Sequence, residues 1–397
     1  MKVLFLNPIG ELGGAERSLL DLAWSLRRSA PELELELLTL ARGPLVAEAE
    51  ALGVRASVLP LPDSLNRLGE SGERIMSVLG RLVAAGPAAL SFVRELRGVL
   101  GDSRADIVHS NGLKSHILAA LAETGQPLIW HLRDFISRRS ASRLLLPHLE
   151  KRVSLGLAIS GAVAKDARRV LTRVRIETVL GAVRTELFRG GGALGFDLDA
   201  LAGLAPPHGE VVRVGLIATY GRWKGQELFL QAVARVGSPN ARFYVIGGPI
   251  YAPGASQWRR EGLQARMREL AIENSCGLVP FQPDAPRVYR ALDIVVHAST
   301  EPEPFGRTVA EALASGRAVI AAGSGGVLEQ MTSGEHGLLF APGSADSLAS
   351  AMARLIQDRE LRERLARAGA EQARGSLDAG RLGPVVAEVY RSLVPAA

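Results

Sequence analysis

The sequence predicts an α/β protein built from two doubly wound domains, each a parallel sheet with helices on both faces. Its 397 residues are two to three times the length of an average domain. Short apolar runs alternate with segments of helical periodicity in both halves, which is typical of parallel sheets. This alternation stops in the Gly- and Pro-rich stretch from Gly190 to Gly209. We therefore expect a first domain over residues 1–190, a linker over 191–209 and a second domain over 210–378.

The first half predicts six strands separated by helices. The strands are expected at Val3–Leu6, Leu33–Leu40, Val54–Leu59, Ile107–His109, Leu128–His131 and Leu155–Ile159. Helical periodicity covers Ala15–Leu26, about Ile75 to Leu96, Leu113–Leu121 and Ser160–Val170.

The second half repeats the alternation. Strands are expected at Val211–Ala218, Ala241–Ile246, Gly277–Phe281, Ile294–His297, Ala318–Ala321 and Gly337–Phe340. Helices are expected at Gln226–Val236, at Gln257–Leu270, from about Phe305, and from Ser344 to about Val394. Ligands of such sheets bind beyond the carboxyl ends of the strands, so motifs in strand-to-helix loops have priority.

Composition excludes several classes of protein. With 47% hydrophobic and 22% charged residues, and no run of eighteen apolar residues, the chain is not predicted to span a membrane. The N-terminal run is too short for a signal peptide, and the single cysteine, Cys276, excludes an intramolecular disulfide; both fit the cytoplasm. The net charge of 47 − 41 = +6 is dispersed, which argues against nucleic acid and leaves anionic small molecules or a membrane surface as partners.

The strongest motif runs from Glu301 to Glu311. Two prolines enforce a loop, so a helix can begin at about Phe305, with Glu303 just outside its N-terminus and Glu311 about two turns inside. The two carboxylates would lie about 10 Å apart, which suits two hydroxyl-bearing rings joined by a phosphate linker. Between them an anion site is expected at the N–H groups of Gly306, Arg307, Thr308 and Val309. The alternative is an ordinary helix with one glutamate near its start and one facing solvent.

Two further strand-to-helix loops have the residues of a phosphate site. Arg222 and Lys224, in Gly-Arg-Trp-Lys-Gly, can neutralise a pyrophosphate leaving group without a metal; the alternative is a basic surface turn. Gly13 and Gly14 let the backbone of the first loop approach a phosphate or sugar, although a glycine pair alone is weak evidence.

Two other candidates have strong structural alternatives. His131 ends a strand and could contact a sugar hydroxyl near the anomeric carbon, but such a histidine is more often structural. Asp197-Leu-Asp199 matches a manganese-binding pattern of some sugar transferases, yet no strand leads into it, so we expect no metal there.

Taken together, these residues resemble the retaining glycosyltransferases of family 4, which have the GT-B fold: two doubly wound Rossmann-like domains that face a cleft. Glu303 and Glu311 match that family's E-x7-E motif, and Lys224-Gly225 matches its lysine-glycine pair. Gly13 to Arg17 matches its N-terminal glycine loop, and Gly325-Gly326 its late glycine pair.

The resemblance implies a retaining, metal-independent transferase that moves a sugar from a nucleotide diphosphate to a hydroxyl acceptor. Glu303 would bind the transferred sugar, Glu311 the ribose, and Lys224 the diphosphate with help from the backbone near Thr308 and Val309. Main chain near Phe281 would contact the base, and His131 the donor sugar. The C-terminal helix, within residues 379–397, would complete the first domain.

Two departures keep alternatives open. Ala218-Thr219 stands where the family has Gly-Arg, so Arg222 would have to replace that arginine, and Gly181-Ala-Val-Arg184 replaces the usual Asn-Gly-Val-Asp. A nucleotide-sugar-binding partner subunit of low activity and a GT-B nucleotide-sugar epimerase are therefore the alternative functions.

The acceptor leaves little trace in the sequence. Arginines and apolar residues between Ser71 and Leu100 could form a basic amphipathic surface for an anionic membrane, but a helix packed on the sheet gives the same pattern. The nucleotide base, the sugar and the oligomeric state are not predicted.

Overall fold

The computed structural model describes residues 1–62, 86–190, 194–249 and 256–394. They form two compact units, one of residues 1–182 together with 379 onward, and one of residues 183–378. Each unit is built around a parallel sheet, as the sequence predicts.

The described part of the first unit contains a seven-stranded sheet in the order β3-β2-β1-β4-β5-β6-β7. Its strands are Lys2–Asn7 (β1), Glu34–Thr39 (β2), Arg55–Val58 (β3), Ile107–Asn111 (β4), Leu128–Leu132 (β5), Leu155–Ala158 (β6) and Ile176–Thr178 (β7). Its helices are Gly14–Ser29 (α1), Pro44–Ala51 (α2), Gly86–Asp102 (α3), Leu113–Ala122 (α4), Ser140–Leu149 (α5) and Gly161–Ala167 (α6). The chain winds outward from β1 in one direction and then in the other, which is the doubly wound arrangement.

The described part of the second unit contains a six-stranded sheet in the order β10-β9-β8-β11-β12-β13. Its strands are Val212–Ile217 (β8), Ala241–Gly247 (β9), Cys276–Pro280 (β10), Ile294–His297 (β11), Ala318–Ala322 (β12) and Leu338–Phe340 (β13). Its helices are Thr185–Phe188 (α7), Leu198–Ala202 (α8), Gln226–Val236 (α9), Arg260–Glu269 (α10), Ala285–Arg290 (α11), Arg307–Ala314 (α12), Ala345–Gln357 (α13) and Arg359–Ser376 (α14).

The last helix, Leu382–Leu393 (α15), packs against α1 in the first unit. The Ser25 hydroxyl donates to the Gly380 carbonyl (3.0 Å) and accepts from the Gly383 N–H (2.8 Å). Val386 and Tyr390 lie in the same apolar cluster as α1 and β1. The sheet face beneath α1 is therefore closed by the end of the chain.

The segment predicted as a linker is organised differently. Its described residues, 194–209, belong to the second unit, and α8 within them packs against β10. Asp197 caps α8 by accepting from the Ala200 N–H (3.0 Å), and the Tyr244 hydroxyl donates to Asp199 (2.8 Å). The carboxylates of Asp197-Leu-Asp199 are thus used within the fold.

The described elements follow the sequence-based expectation closely, with additions. The structure adds α2, α5, α7, α8, α11 and β7, each of ten residues or fewer, and α5 contains Pro147. The basic amphipathic segment between Ser71 and Leu100 lies partly outside the described residues. Of the remainder, Phe92, Leu96 and Leu100 are buried, so this part packs into the unit. No helix among the described residues is both long and apolar enough to cross a membrane.

Candidate functional site

The second unit brings two of the predicted motifs together at the point where its strand order reverses. The chain runs from β8 to β9 on one side and continues on the other side with β11, which is hydrogen-bonded to β8. The loop after β8 carries Lys224, and the loop after β11 carries Glu303. Such a switch point is where open α/β sheets bind ligands.

Lys224 and Glu303 form an ion pair there. Lys224 Nζ lies 2.5 Å from Glu303 Oε1, and both side chains are largely buried. The Ser299 hydroxyl donates to the same oxygen (2.6 Å), and His297 Nε2 lies 3.6 Å from it. One carboxylate oxygen therefore has three polar neighbours, two from the loops and one from the end of β11.

These neighbours determine the charge of Glu303. Burial raises the pKa of the carboxyl group, but the Lys224 ammonium and the adjacent His297 outweigh burial and hold that pKa well below its usual range. Glu303 is thus a carboxylate at neutral pH, suited to accept hydrogen bonds from hydroxyl groups.

Backbone contacts fix the two loops against each other. The Thr300 N–H donates to the Trp223 carbonyl (2.8 Å). Gly225 has φ +79°, and a Cβ at this position would overlap the Ala298 carbonyl. The glycine after Lys224 is therefore required both by its left-handed conformation and by this close approach.

The late glycine pair, Gly325 and Gly326, fixes the backbone of the Glu303 loop from a second segment. Glu303 and Gly325 form an isolated parallel bridge, and the Gly326 N–H donates to the Glu303 carbonyl (2.9 Å). Side chains on Gly325 or Gly326 would overlap the backbone of Glu303 and Pro304. The pair therefore positions the Glu303 loop by packing.

Glu311 lies on α12 and is held by two side chains. Arg307 Nε donates to its Oε1 (2.7 Å) and the Tyr289 hydroxyl to its Oε2 (2.8 Å). Burial, together with the Glu311 charge, raises the pKa of Tyr289 well above its usual range, so the phenol stays protonated and donates. Glu311 is therefore oriented before any ligand arrives.

The start of α12 differs in one detail from the predicted anion site. The helix begins at Arg307, after Gly306 and the buried Phe305. The Val309 N–H already donates to the Gly306 carbonyl (2.9 Å), because it closes the first turn of the helix. Thr308, in contrast, is partly exposed at the helix N-terminus.

Two other predicted residues, Arg222 and Phe281, also lie in the second unit. The Arg222 guanidinium lies over the Trp258 ring, 4.1 Å from its centroid. Phe281 follows β10 and is 63% exposed. The roles of both residues remain predictions.

The first unit places Gly13, Gly14 and His131 at the carboxyl edge of its own sheet. Gly13 caps α1, and its N–H donates to the buried Glu16 carboxylate (3.2 Å). A Cβ on Gly14 would meet only open space, so this glycine leaves the start of α1 uncovered.

His131 lies within a buried polar cluster that the sequence did not reveal. Its Nδ1 is 2.9 Å from His109 Nε2 and 3.3 Å from Arg133 Nη2, and Arg133 also bonds to Asn111. Burial, reinforced by the Arg133 charge, lowers the pKa of His109 to about 3 and that of His131 well below its usual range. Both imidazoles are therefore neutral.

Sequence reasoning also missed His297, Ser299 and Tyr289, which support the two glutamates. A signal was present for the first two, since His297 ends β11 and Ser299 follows it on the way to Glu303. Among the described residues, no group of three His, Cys, Asp or Glu side chains is arranged to hold a metal ion.

Two family models match the chain. The glycosyl transferase 4-like domain matches residues 13–176, and glycosyl transferases group 1 matches residues 209–372. The order of the two matches follows the order of the two units.

Curated relatives are similar over parts of the chain. A D-inositol 3-phosphate glycosyltransferase of Thermomonospora curvata is 32% identical over 288 residues, which is 68% of this chain and 62% of the relative. A mannosylfructose-phosphate synthase of Agrobacterium fabrum is 30% identical over 168 residues, 41% of this chain and 36% of the relative. The chain thus spans less than two thirds of the length of these relatives.

Solved structures are similar over almost the whole chain. Anabaena HepE in complex with UDP-glucose has a TM-score of 0.82 at 24% identity, covering 99% of this chain and all of that one. Sucrose-phosphate synthase from Thermosynechococcus elongatus has a TM-score of 0.77 at 18% identity, covering 99% of each chain. These likenesses confirm the predicted GT-B fold. The two family models confirm the predicted resemblance: the chain belongs to the glycosyltransferases of family 4.

Proposed function

We propose that the protein transfers a sugar from a nucleotide diphosphate to a hydroxyl acceptor, with retention at the anomeric carbon. The observation that carries this proposal is the Lys224–Glu303 ion pair at the switch point of the second sheet. In this pair, a cation that would bind a diphosphate lies beside an ionised carboxylate that would accept hydrogen bonds from sugar hydroxyls. Glu311, oriented by Arg307 and Tyr289, would accept from the ribose hydroxyls.

The reaction would proceed without a protein base. The bond from the anomeric carbon to the diphosphate oxygen breaks, the bond to the acceptor oxygen forms on the same face, and the acceptor proton passes to the departing diphosphate. The environment of Glu303 supports this route, because a carboxyl group with a strongly lowered pKa is a weak base. Lys224 would stabilise the charge on the leaving group, in place of a metal ion.

A nucleotide panel tests the donor site. Thermal unfolding is followed with UDP, GDP, ADP and TDP, each with and without EDTA; UDP comes first because Anabaena HepE was solved with UDP-glucose. A nucleotide at a hundred times its dissociation constant adds about 2.7 kcal/mol of stability. We expect one nucleotide to stabilise the protein equally with EDTA, whereas an EDTA-sensitive shift contradicts metal independence.

Lys224→Ala tests the mechanism. Removing one charged group that acts on the leaving group is expected to lower turnover by about 10²–10³-fold. The matched control is Arg235→Ala, which removes a cation from the following helix, α9, where Arg235 pairs with the exposed Asp346. Equal turnover in the Lys224 variant and the control would remove Lys224 from the mechanism.

Product analysis separates the alternatives. A transferase yields a glycosylated acceptor and a nucleoside diphosphate, whereas an epimerase yields a different nucleotide sugar. A partner subunit of low activity would bind the nucleotide and form neither product; Thr219, at the position of the family's arginine, motivates that alternative.

A further inference from the structure

A row of three buried, hydrogen-bonded rings, Tyr390, His109 and His131, leads from α15 into the sheet of the first unit. The Tyr390 hydroxyl lies 2.7 Å from His109 Nδ1, and His109 Nε2 lies 2.9 Å from His131 Nδ1. Arg133 Nη2 approaches the same His131 nitrogen at 3.3 Å. Tyr390 and His109 have no exposed surface, and His131 is 6% exposed, so solvent does not compete for these bonds.

Three elements of the first unit contribute to this row of rings. His109 lies on β4, His131 on β5 and Tyr390 on α15. In the parallel register His131 is opposite Asn111, two residues beyond His109, so the two histidines point to the same face of the sheet. Helix α15 packs over this face together with α1.

The hydrogen-bond donors and acceptors in this row of rings have one consistent assignment. Arg133 only donates, so His131 Nδ1 is an acceptor and carries no proton. The facing His109 Nε2 must then carry a proton and donate it. His109 is neutral, so its Nδ1 is an acceptor, and the Tyr390 hydroxyl donates to it.

The direction of these bonds fixes the state of His131. Both neighbours donate into Nδ1, so the proton of the neutral ring is on Nε2. The ring can donate a hydrogen bond through Nε2 and has no unoccupied lone pair with which to take a proton.

We propose that Tyr390 and His109 are positioning residues that hold His131 as a neutral hydrogen-bond donor at Nε2 and prevent it from acting as a base. This inference rests on the proposed function, in which His131 contacts the donor sugar. Through these hydrogen bonds, a residue of α15 determines which ring nitrogen of His131, on β5, carries the proton.

Nitrogen NMR tests the assignment without substrate. In the full chain carrying ¹⁵N-labelled histidine rings, the His131 signals are identified by their loss in His131→Gln. We expect the unmodified protein to show one tautomer of His131, protonated on Nε2, from pH 6 to pH 8. A proton on Nδ1, or a mixture of tautomers, overturns the proposal.

Tyr390→Phe tests the positioning role. Without the hydroxyl, His109 Nδ1 loses its donor, so the ring signals of His109 and His131 should move toward a mixture of tautomers. Turnover should fall by about tenfold, the effect of one lost hydrogen bond in a buried network. Unchanged ring signals in Tyr390→Phe overturn the role of Tyr390.

Tyr244→Phe is the matched control. It removes a buried hydroxyl that donates to Asp199 (2.8 Å) in the other unit, so it should leave both the His131 signals and turnover unchanged. Shifted signals with full turnover in Tyr390→Phe would refute the donor role of His131. Absence of transfer in the unmodified protein, with the expected NMR spectrum, would instead refute the proposed function alone.

Discussion

Three buried histidines of the first unit predict that the protein loses stability in mild acid. His109, His116 and His131 are nearly inaccessible to solvent. Burial, with the Arg133 charge acting in the same direction on all three, lowers the pKa of His109 and of His116 to about 3, and that of His131 well below its usual range. The carbonyl of His131 opposes the shift at His116 without cancelling it.

The sign and size follow from proton linkage. The unfolded chain takes up protons on these rings below about pH 6.5, whereas the folded chain does not, so stability is complete above that pH and falls as the pH is lowered. At pH 5.5 each histidine costs about 1.4 kcal/mol, and the three together cost about 4 kcal/mol. That is a large fraction of the 5–15 kcal/mol typical of folded proteins.

Urea unfolding, followed by far-UV circular dichroism at pH 7.5 and pH 5.5, measures this loss. His116→Gln should reduce the loss by about 1.4 kcal/mol, since it removes one of the three rings. Burial raises the pKa of Glu16, so this residue offsets part of the stability loss as the pH falls. Its contribution is the same in the unmodified protein and in His116→Gln, so it does not affect the difference between them. Leu118→Ala on the same helix is the control and should lower stability equally at both pH values. An equal midpoint at both pH values in the unmodified protein would refute the reasoning.

Two substitutions in the second unit test how its loops are held. Gly225→Ala should lower the melting temperature and abolish the nucleotide-induced shift, because its Cβ meets the Ala298 carbonyl. Gly343→Ala is the matched control: Gly343 has φ +78° and open space around it, so this substitution should cost only the strain of the left-handed backbone. If both variants behave alike in thermal-shift assays, the contact is unimportant. Tyr289→Phe should weaken nucleotide binding by about tenfold in calorimetry by releasing Glu311. Unchanged affinity would show that Glu311 needs no such support.

The sequence predicts the two sheets well because buried parallel strands are continuous apolar runs, such as Val3–Leu6 and Ile294–His297. It fails where local pattern is weak. β7 has three residues, and α8 lies among glycines and prolines. Only tertiary contacts, such as that between Tyr244 and Asp199, attach the segment around α8 to the second unit.

The candidate site shows the same division. Motif spacing identified Lys224, Glu303 and Glu311 but not the 2.5 Å contact between the first two, which depends on the pairing of β8 with β11. The cluster around His131 was even harder to predict from the sequence. His109 and Tyr390 are 281 residues apart in the chain, and nothing local in the sequence relates them.

The placement of α15 has a consequence for how the protein is made. Residues 1–182 of the first unit are synthesised before the second unit, but α15 emerges only after the second unit has received all of its residues. Until then, Ser25 has no partner from α15, His109 has no phenol beside it, and the apolar face of α1 stays open to water. The unit that is begun first is therefore completed last, and a nascent chain that stops before residue 379 leaves the first unit, not the second, as the target of chaperones and proteases.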